Sequence, residues 1–152
     1  MKTVFTRMLV LTALLASTNN VMAGNTTMNI TTTPVAPSGL QQLIDSHFAL
    51  WNNTDATERA KAFAAVYQPN FFVADDKGLN EGADRVNAAI SQVQSQHPGF
   101  IFTPAPVEWN HGIARVTWGY GPKDNPYQVR GEDIFTVSEG RLSSARVFLS
   151  RQ

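Results

Sequence analysis

Three polar side chains stand where an apolar pattern would turn them inward: His47 on an apolar helical stripe, Asp75 at the end of an apolar strand, and Asp133 within a later strand. A buried ionisable group is costly unless it is paired or used, so chemistry should be traced to these three first. Two carboxylates and an imidazole in one apolar cavity suit acid–base catalysis without a cofactor. Asp75 would take a proton next to a carbonyl while His47 and Asp133 steady the oxygen on which charge develops. Each residue also has a plainer role open to it. His47 could bond a backbone carbonyl or one of the aspartates, and Asp75 stands before the turn residues Asp76-Lys77-Gly78, which a carboxylate can cap. Asp133 could pair with Arg115, Arg130 or Arg146.

The elements that must position these groups follow from periodicity. Ser38 and Gln41 have capping-box spacing, and Leu40, Leu43, Ile44, Phe48 and Trp51 place His47 within one broad helical face. Asp55 with Glu58 opens a second helix through Phe63 and Tyr67, which Pro69 stops. Phe71 to Asp75 reads as a short strand. After Gly82, the residues Val86, Ala89, Ile90 and Val93 predict a third helix that ends before His97-Pro98-Gly99. From Phe100 onward the pattern is strands and turns: 100–103 and 107–109 around Pro104 and Pro106, then 113–120, 127–137 and 141–149. Helices first and antiparallel strands last is an α+β order. It predicts a long, strongly curved sheet wrapped around three helices as a cone with a cavity.

Phe63, Tyr67, Phe102, Trp118, Phe135 and Phe148 suffice to line such a cavity for a small apolar organic ligand, with Tyr67 and Phe135 flanking the polar trio. The strand faces opposite the core carry Ile113, Trp118 or Tyr120, and Ile134, which predicts a homodimer through the outer face of the sheet. The histidines, at 47, 97 and 111, lack the spacing of a metal site. No Gly-x-Ser-x-Gly, Walker or dinucleotide pattern occurs, so neither metal nor cofactor is expected.

The first 23 residues form a region apart. Lys2 and Arg7 precede an apolar run from Met8 to Ala16, and Val21-Met22-Ala23 supplies the small residues of a cleavage site, the pattern of a secretory signal peptide. Cleavage after Ala23 predicts a secreted or periplasmic protein that keeps no membrane segment. It removes two bases and no acid, leaving ten basic against twelve acidic side chains, a formal charge of −2 that would not attract nucleic acid. Residues 24–37, rich in Thr and Asn, read as a flexible leader before a single domain at 38–152. Asn25, Asn29 and Asn52 each head an Asn-x-Thr sequon.

Over Leu40 to Leu149 the chain resembles the nuclear transport factor 2-like superfamily, also called SnoaL-like or ketosteroid-isomerase-like, a cystatin-like fold. The resemblance is carried by the segment from Leu43 to Trp51, the stretch Tyr67 to Asp75, Gly82, the strand Ala114 to Trp118, and Gly131-Glu132-Asp133 leading to Gly140-Arg141-Leu142. It implies that Asp75 stands at the position of the proton-shuttling carboxylate of the steroid isomerases, and Asp133 at that of the carboxylic acid that helps bind the oxyanion. His47 falls where those enzymes place a tyrosine. That departure points away from steroid isomerisation and toward imidazole acid–base chemistry, as in the superfamily's dehydratases and cyclases. The superfamily also includes non-catalytic binding proteins, so a ligand- or protein-binding module is the alternative that the resemblance implies.

Overall fold

The apolar stripe around His47 forms the first helix, α1 (Leu40–Asn52), which buries Leu40, Ile44, His47 and Phe48 on one side. The computed structural model describes residues 35–150, so the expected signal peptide and most of the expected leader lie outside the described residues. The α1 N-terminus departs from the expected capping box. Gly39, at φ 78°, is the N-cap and no side chain caps the turn. Gln41 instead uses its Oε1 to accept the Val107 N–H, 2.9 Å away, tying the helix to the sheet margin.

The second helix, α2 (Ala56–Val66), starts as its sequence predicts, with the Asp55 carboxylate accepting the Thr57 and Glu58 N–H groups. It ends earlier than expected. Tyr67 already belongs to strand β1 (Tyr67–Asp75), where it pairs with Leu142. Pro69 therefore lies inside a strand, at the point where the register between β1 and its neighbour shifts, so its missing N–H costs no regular ladder bond. β2 (Gly78–Glu81) returns antiparallel to β1, and α3 (Ala83–Gln96) buries Val86 and Ile90 at helical spacing.

Five further strands complete the sheet: β3 (Ile101–Pro104), β4 (Glu108–Asn110), β5 (Ile113–Gly121), β6 (Val129–Ser138) and β7 (Arg141–Leu149). Their order is β2-β1-β7-β6-β5-β3, with β4 also paired to β5. β1 runs parallel to β7, and every other pairing is antiparallel. The α+β expectation holds as three helices on a curved, mixed seven-stranded sheet. The two-residue hairpin loops His111-Gly112 and Glu139-Gly140 have positive φ at both positions, which matches the twist of the strands they join.

Register decides what faces the helices. Across β5, β6 and β7 the inward rows are Ala114–Phe135–Ala145, Val116–Asp133–Val147 and Trp118–Gly131–Leu149. Asp133 thus occupies the middle of an otherwise apolar row. The expectation that Trp118 or Tyr120 lies on the outer face fails: both are buried with Ala114 and Val116 on the inner one, because alternation along β5 puts all four on the same side.

Candidate functional site

His47 is only 2% exposed, and both its ring nitrogens are accounted for by the elements above. Its Nδ1 lies 2.9 Å from the Tyr67 hydroxyl, which the early start of β1 carries into the core. Its Nε2 faces Asp133 Oδ2 at 3.7 Å, too long for a direct hydrogen bond. The other oxygen of Asp133, Oδ1, accepts the Trp118 Nε1–H at 2.8 Å. The result is one chain, Tyr67–His47···Asp133–Trp118, with its gap between the imidazole and the carboxylate. Phe48, Tyr67 and Phe135 set their rings edge-on to the imidazole at centroid distances of 4.9–5.8 Å.

This gap opens on a cavity of about 180 Å³ between helices and sheet. Phe48, Trp51, Phe102, Trp118 and Tyr120 form aromatic walls, with Val73, Val93, Val129 and Val147 between them. Phe102 stacks on Tyr120 at 4.2 Å and meets Trp118 edge-on at 5.2 Å. The mouth is polar, with Asp75, Asp76, Lys77, Asn80, Gln96 and His97 around it.

All three sequence-predicted polar residues border this cavity, but not equally. His47 and Asp133 sit at its buried end, whereas Asp75 is exposed at the mouth. The Asp75 Oδ1 accepts the Lys77 and Gly78 N–H groups, so the turn-capping role read from the sequence is fulfilled. The possible ion pairs of Asp133 are ruled out by strand direction: Arg115 bonds Glu132 and Glu108, Arg130 lies over Tyr127, and Arg146 lies over Phe72.

Of the six aromatics expected to line the cavity, Phe102 and Trp118 do. Phe63, Tyr67 and Phe135 are buried behind the imidazole as core, where they support rather than line. Phe148 is a correction. It pairs with Glu132 on the opposite face of the sheet and is 54% exposed, because the register of β7 turns Val147 and Leu149 inward instead. Phe48, Trp51 and Tyr120 were missed as wall residues, although the same helical stripe and strand alternation that carry His47 and Trp118 include them. Arg59 was missed entirely. Fully buried, it donates to Asn53, Asn87, Ser91 and Gln94, clamping α2 and the α1–α2 connection onto α3, and nothing in an exposed-looking helical arginine signals this.

Electrostatics around His47 are set by burial. The Tyr67 hydroxyl is pushed far above its usual pKa by desolvation; the nearby Trp51 indole opposes this and the Asp133 charge adds to it. Tyr67 is therefore a neutral phenol at any working pH. The Trp51 Nε1–H, shut off from solvent, reaches no acceptor with hydrogen-bond geometry. Among the described residues no group of His, Cys, Asp or Glu could hold a metal ion, and no helix is long and apolar enough to cross a membrane.

No protein-family model matches the chain, and neither does any curated protein. Solved structures do. A protein from Agrobacterium tumefaciens designated an isomerase of the SnoaL-like family superposes with a TM-score of 0.67 at 22% identity, covering 72% of this chain and 96% of that one. A SnoaL-like protein from Jannaschia sp. CCS1, designated a polyketide cyclase, gives 0.58 at 15% identity over 77% of this chain and 92% of that one. A cystatin-like fold from Methylobium petroleophilum gives 0.62 at 13% identity over 78% and 80%. The three helices, the curved mixed sheet and these superpositions together identify the fold as that of the SnoaL-like, or NTF2-like, superfamily.

Proposed function

We propose that this chain is an exported SnoaL-like protein whose cone takes up a small, neutral, largely apolar organic ligand and carries out cofactor-free acid–base chemistry of the isomerase, dehydratase or cyclase kind. The observation that carries this reading is the gap between His47 Nε2 and Asp133 Oδ2, 3.7 Å wide, at the buried end of an aromatic cavity. The far atom of each group is tied down, Nδ1 by Tyr67 and Oδ1 by Trp118, so the two near atoms are left for a ligand. A carbonyl or hydroxyl oxygen bridging the two atoms from the cavity side meets a nitrogen that can donate and a carboxylate that can take a proton. The solved structures designated isomerase and polyketide cyclase support the same class of chemistry.

Asp75 enters this reading at the mouth. Its exposed carboxylate and its turn-capping bonds favour a second reading, a ligand-binding module without catalysis. One experiment separates the two. The protein is incubated in D2O with 2-tetralone, a neutral ring ketone with acidic α-hydrogens, and loss of the α-proton signals is followed by NMR while Trp fluorescence reports binding. Catalysis predicts exchange above the buffer rate, falling about 10²–10⁴-fold in His47→Gln and Asp133→Asn. Asp75→Asn measured alongside shows whether the mouth carboxylate shares the work. Binding without exchange supports the module, and neither binding nor exchange defeats both readings for this ligand class.

A further inference from the structure

We infer that Tyr67 acts as a positioning residue that, together with the Asp133 carboxylate, holds His47 in one tautomer, with its proton on Nε2 and facing the cavity. The inference rests on the reading of His47 and Asp133 as the working pair, and it deepens that reading by assigning the direction in which the imidazole donates.

The argument is one of hydrogen-bond bookkeeping. A neutral imidazole has one N–H and one bare nitrogen, and its partners decide which is which. The titratable groups facing His47 are Tyr67 from β1 and Asp133 from β6; the rest of its surroundings are Phe48 and Trp51 from α1 and Phe135 from β6. The Tyr67 hydroxyl has one proton to give, and Nδ1 stands 2.9 Å from its oxygen. Were the imidazole proton on Nδ1, the hydroxyl would have to accept it, and the nitrogen would offer the O–H no lone pair. With the proton on Nε2, the hydroxyl gives its hydrogen to Nδ1 and each group is matched. The second partner agrees. Asp133 Oδ2 lies 3.7 Å from Nε2, where an N–H is attracted and a bare lone pair is repelled. Oδ1 is held by Trp118, so the carboxylate stays turned this way. Both ends of the ring thus select the same tautomer.

The test reads the nitrogens directly in ligand-free protein, so it stands or falls independently of whether any ligand is turned over. Long-range proton–nitrogen NMR on ¹⁵N-histidine-labelled protein at pH 8 should show His47 with Nε2 protonated and Nδ1 bare but hydrogen-bonded. In Tyr67→Phe the Nδ1 resonance should move to the position of a bare nitrogen without a hydrogen bond, with His97 and His111 unmoved as internal controls. Asp133→Asn guards against a Tyr67 variant that fails to fold. Without the carboxylate charge that faces Nε2, a measurable Nδ1–H population should appear beside the Nε2–H form. Wild-type protein with Nδ1 protonated overturns the inference. So does an Nδ1 signal unmoved in Tyr67→Phe, or an Asp133→Asn spectrum identical to wild type.

Discussion

At position 131 a β-carbon would stand 2.4 Å from Cζ2 of Trp118, so the indole lies where any other side chain would begin. Trp118 and Gly131 are directly paired across β5 and β6, and Asp133 is the next inward residue along β6. The absent side chain lets the indole lie flat across the strand and reach Asp133 with its N–H, which makes Gly131 a condition for the geometry of the carboxylate. Gly131→Ala should force the ring aside, cost about 1–3 kcal/mol as overpacking does, and weaken binding in the cavity. Urea midpoints together with Trp fluorescence check this, and an unchanged midpoint would mean that the indole has room to move.

Asn52 is the last residue of α1, and its carboxamide does the work of a missing strand. β3 ends the sheet order, and at this edge Asn52 Nδ2 donates to the Phe102 carbonyl at 2.9 Å while its Oδ1 accepts the Phe102 N–H at 2.7 Å. An edge strand otherwise leaves such groups open to pairing with another chain. The same bonds hold Phe102 in the cavity wall, and they occupy the amide nitrogen of the Asn52-Asn53-Thr54 sequon, so a glycan at this position would disrupt the fold. Asn52→Ala should lower stability by about 1–3 kcal/mol through the two stranded backbone groups and should loosen ligand binding in parallel. Denaturant unfolding and fluorescence titration of the one variant measure both. Stability lost with binding unchanged would separate the edge from the wall.

For the whole molecule, the inward turn of Trp118 and Tyr120 alters the case for a dimer. What remains on the outer face is Ile113, Ile134 and the exposed Phe148, beside the cross-strand network of Glu108, Arg115 and Glu132 and a groove of about 420 Å³ that Tyr127 and Arg130 border. We propose that two copies pair through this face, with Phe148 as the apolar anchor in place of the tryptophan. Light scattering at micromolar concentration should give twice the chain mass, and Phe148→Glu should weaken association at least tenfold, about 1.4 kcal/mol. A monomeric wild type ends the proposal. Export stands on the sequence pattern of residues 1–23; the intact mass of secreted material should correspond to a chain that starts near Gly24, and a product that retains Met1 would refute it.

The sequence by itself determined the α+β order, the helical stripe that buries His47, the Asp55 cap and the inward direction of Asp133, since each depends on spacing within one element, which periodicity reports. It also held both roles of Asp75 in view. What it left undecided were matters between elements. That α2 ends at Val66 follows from the pairing of Tyr67 with Leu142, seventy-five positions away, which overrides the continuing helical pattern. The outward turn of Phe148 follows from the register of β7 against β6, where a shift near Val137 resets which residues face the helices. Arg59 is buried because α3 brings Asn87, Ser91 and Gln94 to its guanidinium, and the Tyr67–His47 bond exists because a bulged strand carries a hydroxyl beneath a helix. Such contacts are settled by strand register and helix docking, and a single chain of residue types contains no local signal for either.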